Sequence, residues 1–285
     1  MMIPELYIDA RATLGESPAW DAKTQTLYWV DVLERRVYAG ARPIAQLDHY
    51  VGCLAPRKGG GLILGAGRSI RLMEPDMKTV RGFAVPKGEA RHNRFNDGKA
   101  DPRGRFLAGT MDLHEKEDSG ALYSLSRRGA LTRLLSHVRI SNGLAWSPDG
   151  GTLYFVDTPT RKVMAFDYDV DTGTILNGRV IIAFDKSFGL PDGMTSDSDG
   201  NLWIAMWGGA RISLWQPDGT LLAQFGVEAI NVTSCVFGGP KLNELFITTA
   251  LVGTDAAGRR KFPQSGGIFR METDVTGMPT YEFGG

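Results

Sequence analysis

The chain has no excess charge of either sign. Its 32 Lys and Arg balance 32 Asp and Glu, a formal net charge of zero over 285 residues. Such a balance gives no electrostatic reason to bind nucleic acid or an anionic membrane surface. No apolar run approaches the roughly 18 residues of a membrane-spanning helix. The start, Met1-Met2-Ile3-Pro4-Glu5, has no apolar signal core, so a cytoplasmic setting is expected. Cysteine is scarce: Cys53 and Cys235 fall at a similar phase of two repeats set apart in the chain, so free buried thiols are expected rather than a disulfide. The four histidines, His49, His92, His114 and His137, are scattered, which gives little support to a histidine metal centre or a Ser-His-Asp triad. A Gly-x-Ser-x-Gly elbow, His-Glu-x-x-His and a phosphate-binding glycine loop are all missing. Two stretches imitate calcium loops and fail. The one from Asp167 has Thr172 sixth and Gly178 twelfth; the one from Thr195 lacks a first acid and has Met206 twelfth. Extended helical periodicity and Ser- or Pro-rich linkers are lacking as well.

What the chain does have is glycine, 36 residues of it, and a recurring unit. In Asn142-Gly143-Leu144-Ala145-Trp146-Ser147-Pro148-Asp149-Gly150-Gly151, a short apolar run lies between turn-forming residues, and Leu153-Tyr154-Phe155 follows. That triplet recurs as Leu27-Tyr28-Trp29, Leu62-Ile63-Leu64, Phe106-Leu107-Ala108, Leu202-Trp203-Ile204 and Leu245-Phe246-Ile247. The six copies begin 35, 44, 47, 49 and 43 residues apart. A period of about 40 to 50 residues with several strands in each is the mark of a β-propeller. The expectation is an all-β fold, a six-bladed propeller with four-stranded blades, filling residues 1–285 as one domain. Third strands are read at Val37-Tyr38, Ile70-Arg71-Leu72 and Ile268-Phe269, among others. Residues 7–11 are expected to complete the last blade, and Thr280-Tyr281-Glu282-Phe283 to end the last repeat.

Ten or eleven residues before the triplets stand Glu16, Val51, Asn96, Asn142, Asp192 and Ser234. The innermost strand of each blade lines the central channel, so equal phase means equal height around one axis. Arg94 lies two residues before Asn96, on the same side of an extended chain. Asn-Gly and Asp-Gly are also the commonest turn dipeptides, so each of these positions taken alone reads as a turn. The repeats, however, already have turns at Asp101-Pro102-Arg103-Gly104, Pro148-Asp149-Gly150 and Asp197-Ser198-Asp199-Gly200. The in-phase set is additional to those. It predicts a ring of Glu16, Asn96, Asn142 and Asp192, with Arg94, at one mouth of the channel. The six Trp and thirteen Phe are read as packing between blades, with one or two, such as Trp207, reaching the channel.

Two carboxylates and a carboxamide oxygen are hard donors. They suit one divalent ion, Ca²⁺, Mg²⁺ or Mn²⁺, with Zn²⁺ less natural in the absence of His or Cys ligands. Three protein ligands leave positions open for water and substrate.

These residues resemble a known family. Gly15-Glu16-Ser17-Pro18, Arg94-Phe95-Asn96-Asp97-Gly98-Lys99, Gly109-Thr110-Met111, Ser141-Asn142-Gly143-Leu144, Pro191-Asp192-Gly193-Met194 and Ser265-Gly266-Gly267-Ile268-Phe269 are similar, in order and over nearly the whole chain, to the senescence-marker-protein, gluconolactonase and luciferin-regenerating-enzyme family. The resemblance implies a six-bladed propeller and a metal-dependent lactonase acting on sugar lactones. It implies Glu16, Asn142 and Asp192 as metal ligands and Arg94 and Asn96 as substrate-binding residues. Some members have a substrate-contacting Glu after Gly-Thr-Met; here His114 occupies that position and Glu115 is its neighbour. Either one is a candidate to contact the substrate.

The expected reaction is hydrolysis of a sugar γ- or δ-lactone to the aldonic acid. The metal would polarise the ester and orient water. Asp192 is the candidate general base, and Arg94 and Asn96 would stabilise the oxyanion. Two other readings remain open at this point: an esterase or phosphotriesterase on the same metal site, and a non-catalytic metal-binding scaffold.

Overall fold

In the computed structural model, which describes residues 2–285, the chain forms six four-stranded antiparallel sheets. Blade 1 runs through Gly15–Asp21, Thr26–Asp31, Arg36–Ala39 and Arg42–Gln46, and blades 2 to 5 repeat that meander in chain order. The innermost strands of blades 2 to 6 are Val51–Pro56, Asn93–Ala100, Ser141–Trp146, Leu190–Ser196 and Asn231–Gly238. Each innermost strand packs on those of both neighbouring blades, blade 6 on blade 1 included, so the ring is closed. The expected six-bladed propeller is therefore the observed fold. All six apolar triplets lie in the second strand of a blade, buried on both faces between its neighbours. Continuous apolar runs belong in such a position. Aromatic pairs tie strands and blades together: Trp29 stacks on Tyr38 at 4.0 Å, and Trp20 of blade 1 stacks on Phe246 of blade 6 at 5.4 Å.

Closure of blade 6 uses the N-terminal segment, as expected, but in a different register. Its outermost strand is Glu5–Ile8, paired with Ile268–Glu272 through Leu6 and Phe269, rather than residues 7–11. Beyond Ile8 the backbone turns: Ala10 N bonds to the Ile8 carbonyl, and Arg11 takes a φ of 49°. A non-glycine residue in that left-handed region does not continue a strand. The segment instead leads back over blade 6 into blade 1.

The chain's end departs from expectation. Thr280-Tyr281-Glu282-Phe283 forms no strand of the last blade; the tail crosses the mouth of the channel opposite the site described below. It bonds in turn to Leu242 in blade 6, to Ser196 and Ser198 in blade 5, and to Pro56 and Lys58 in blade 2. Phe283 is fully buried in the core shared by blades 2 and 3, and Tyr281 meets the Trp146 ring edge-on at 6.4 Å. Beneath the tail only about 50 Å³ of mostly apolar space remains. Both cysteines are free and buried, each on an innermost strand. Among the described residues no helix is long and apolar enough to cross a membrane. The one α-helix of the described residues, Ala256–Lys261, is a short turn in the loop before the third strand of blade 6.

Candidate active site

Every innermost strand has a β-bulge near its start: between Glu16 and Ala19, Val51 and Cys53, Phe95 and Gly98, Ser141 and Leu144, Pro191 and Met194, and Val232 and Ser234. A bulge inserts residues against the partner strand and re-aims their side chains. Asn96, Asn142 and Asp192 sit inside these bulges, and Glu16 sits at the edge of one. The dipeptides Asn142-Gly143 and Asp192-Gly193 are thus not hairpin turns, and neither glycine has a positive φ. They are glycine for another reason. A Cβ on Gly143 would lie 2.6 Å from the Asp192 carbonyl oxygen, and one on Gly193 would lie 2.1 Å from Ser234 Oγ. Neighbouring inner strands converge there too closely for any larger residue.

Glu16, Arg94, Asn96, His114, Glu115, Asn142 and Asp192 all line one cavity of about 490 Å³ at that mouth, and Trp207 lines it as well. The in-phase positions Val51 and Ser234 do not. The polar groups form a chain of hydrogen bonds whose direction is settled at both ends. Arg94 Nη1 donates to Asn96 Oδ1 at 2.7 Å and to the Phe95 carbonyl at 3.0 Å. Asn96 Nδ2 donates to the Ser141 carbonyl at 2.9 Å and to Asn142 Oδ1 at 3.1 Å. Asn142 Nδ2 donates to Thr158 Oγ1, which donates to the Pro191 carbonyl, each at 2.8 Å. Guanidinium can only donate and carbonyl can only accept, so both amide orientations follow. Asn96 has no N–H left for a substrate; Arg94 keeps Nε and Nη2.

The acids are short of partners. Asp192 is buried, and among the described residues its Oδ1 has no hydrogen-bond partner. Among the same residues Glu16 accepts only the Ser17 N–H, at 3.1 Å, and Asp97 Oδ2 has no partner. Burial, then the charge of Asp97, pushes Glu16 up to about 8, against the opposing pull of Ser17 N–H and Arg94. Burial, then Glu16 and Asp97, pushes Asp192 well above the usual carboxylate range. Burial raises Asp97 too, although Lys99 opposes it. Three buried carboxylates face two cations, a deficit that a divalent ion held by Glu16 and Asp192 would offset. Among the described residues no three His, Cys, Asp or Glu side chains gather into a metal site by themselves. The set reaches three donors through the Asn142 carboxamide oxygen, and it fits a hard divalent cation.

Sequence reasoning missed the parts that hold these donors. Asp31 accepts the N–H groups of Thr13 (2.8 Å) and Leu14 (3.1 Å) just before Glu16. Asp157 accepts those of Arg139 (3.2 Å) and Ile140 (2.9 Å) just before Asn142. Both follow an apolar triplet as Val-Asp, so a signal was present. Asp112 serves the loop that carries His114 and Glu115, accepting N–H groups from His114 (3.0 Å), Lys116 (2.9 Å) and Glu117 (3.2 Å). Glu115 itself has a φ of 57°. Thr158 and Tyr50 also line the cavity without having been singled out.

Fold and site together define a six-bladed propeller with an acidic, carboxamide-bearing pocket at one end of its channel. Comparison with known proteins then places the chain in a family: the SMP-30/Gluconolactonase/LRE-like region matches residues 14–251, and the chain belongs to that family. Regucalcin of Danio rerio is 36% identical over 99% of this chain and 98% of its own. A Bacillus subtilis protein, YvrE, provisionally named a sugar lactone lactonase, is 34% identical over 98% of each. Among solved structures, luciferin-regenerating enzyme superposes with a TM-score of 0.92 at 31% identity over the whole of both chains. Regucalcin from Agrobacterium tumefaciens, described as a calcium-binding protein, gives 0.93 at 26% identity over 99% of this chain and 97% of that one.

Proposed function

We propose that this protein is a divalent-metal-dependent hydrolase that opens a sugar lactone to the aldonic acid. The observation that carries the reading is the unpartnered, buried Asp192 Oδ1 in the same cavity as Glu16 and the inward-held Asn142 Oδ1. The names of the relatives, gluconolactonase and sugar lactone lactonase, supply the substrate class.

Glu16, Asn142 and Asp192 would hold the cation. When bound, it supplies Lewis-acid polarisation of the ester and a lower pKa for water. The remaining roles fall to the chain's own groups. Asp192 takes a proton from the attacking water and returns it to the ring oxygen as the C–O bond breaks, giving the hydroxy acid. Arg94, through its free Nε and Nη2, donates to the oxygen on which negative charge develops. Asn96 holds Arg94 and Asn142 in place instead of donating to substrate. His114 and Glu115 border the cavity where they can meet sugar hydroxyls. One domain of residues 1–285 in the cytoplasm, acting on a small molecule without nucleic acid or membrane, is the accompanying reading.

Apolar walls from Leu14, Leu33, Met111 and Ile140 favour a second reading, an esterase on the same site. A panel of sugar lactones and aryl esters, assayed with and without chelator, separates the two. Lactone opening that chelator abolishes, and that Asp192→Ala and Asn142→Ala lose without unfolding, is the expected result. A chelator-insensitive Asp192→Ala enzyme contradicts the proposal.

A further inference from the structure

The cavity does not end at Arg94. Past Arg94, Tyr50, Leu33 and Leu113, which border both spaces, it opens into an annex of about 750 Å³ on the same face. The annex is walled by loops of blades 1 and 2 and by the entry to blade 3, and four guanidinium groups line it: Arg35, Arg68, Arg91 and Arg94. Among the described residues none of the four has a carboxylate within ion-pair distance.

The acids nearby are otherwise engaged. Asp48, which lines the annex with His49, accepts Arg71 Nη1 at 2.8 Å. Glu89 is buried, its carboxylate bonded to Asn93, Thr110 and Tyr123; what it offers Arg68 is its backbone carbonyl, 2.9 Å from Nη2. An arginine steadied by a neutral carbonyl keeps its charge uncompensated. Arg35 sits on a left-handed turn with φ 58°, and its carbonyl accepts the Leu47 N–H at 2.9 Å.

A neutral sugar lactone has no use for such a wall. Arginine forks match carboxylate and phosphate oxygens, and a cleft of one sign concentrates ligands of the other. We propose that the annex is the subsite for a terminal anionic group, so that the substrate is a lactone bearing a phosphate or carboxylate away from the ring ester. The proposal rests on the lactonase reading and names its substrate class.

The test compares glucono-1,5-lactone with 6-phosphoglucono-1,5-lactone and with glucaro-1,4-lactone, in wild type and in Arg68→Ala/Arg91→Ala. Both arginines are exposed, and Arg91→Ala alone serves if the pair impairs folding. Wild type is expected to favour one of the anionic lactones by about tenfold or more in kcat/KM. Added salt should erode that preference, and the variant should lose it through KM. Which anionic lactone wins tells phosphate from carboxylate. Equal or better turnover of the neutral lactone overturns the proposal and leaves lactonase activity standing; so does a preference that survives in the variant. If wild type opens none of the three, the lactonase reading fails separately, and calorimetry of gluconate 6-phosphate and glucarate against gluconate decides the annex. Tighter binding of an anionic acid, lost in the variant, sustains it; equal affinities overturn it.

Discussion

Thr158 Oγ1 accepts a hydrogen bond from Asn142 Nδ2 at 2.8 Å and passes one on to the Pro191 carbonyl at the same distance. One hydroxyl thereby fixes the Asn142 amide with its oxygen toward the cavity and ties it to the strand that presents Asp192. Two of the three proposed metal ligands are joined through a residue that need not touch the ion.

Replacing Thr158 should weaken the cation site while leaving all three ligands in place. Loss of such an outer partner typically costs about 10- to 100-fold in metal affinity. Calorimetric titration of metal-stripped protein should show that loss for Thr158→Val and near-native affinity for Thr158→Ser. Equal affinity for Thr158→Val and wild type would mean that the hydroxyl does not hold the Asn142 amide for the ion.

Asp192 carries a cost in the absence of metal, because burial and the neighbouring acids disfavour its charge. Asp192→Asn is therefore expected to melt at or above the wild-type temperature without metal. At a metal concentration about 100 times Kd, wild type should gain about 2.7 kcal/mol, and the variant should gain nothing. A variant that melts well below wild type in chelator contradicts this view of the carboxylate.

The loop bearing His114 and Glu115 should loosen in acid. N–H groups from His114, and then from Lys116 and Glu117, lower the Asp112 pKa to about 2 against the pull of burial. Folding lowers this pKa, so the carboxylate's hold is complete above the ordinary range and is lost as pH falls from about 4 toward 2. Asp112→Asn should reproduce the loosening at neutral pH. Hydrogen exchange should then be faster at the amides of His114, Lys116 and Glu117, and KM for substrate should rise. Unchanged protection of those amides would count against it.

The tail contributes to stability. Phe283→Ala empties a fully buried site between blades 2 and 3, and such truncations typically cost about 3–5 kcal/mol. Urea unfolding should show that loss, with kcat little changed, because the tail lies at the mouth opposite Asp192. A loss below about 1 kcal/mol would mean that the tail is not anchored there.

The blades were legible because each repeats one pattern: an apolar triplet bounded by turn residues can be counted along a line of letters. The polar ring was legible for the same reason, since matching phase places Glu16, Asn96, Asn142 and Asp192 at matching height. What could not be counted was not read. The tail from Thr276 onward belongs to no repeat, and its partners lie in blades far away in the chain. The shift of the closing strand to Glu5–Ile8 depends on the left-handed Arg11, which nothing in its neighbours' letters marks. Asp31 and Asp157 recur in phase but resemble ordinary strand ends until their N–H partners are seen. The annex draws Arg35, Arg68 and Arg91 from three separate loops, so only folding brings them together.

The proposed cation site takes its oxygens from the inner strands of blades 1, 4 and 5. Its most direct measurement is the anomalous scattering of a crystal grown with manganese or zinc. One principal metal peak is expected in the cavity, with Glu16, Asn142 and Asp192 oxygens about 2.0–2.2 Å away. A loaded crystal with its peak elsewhere, or with any of those three side chains turned away from the ion, would contradict it.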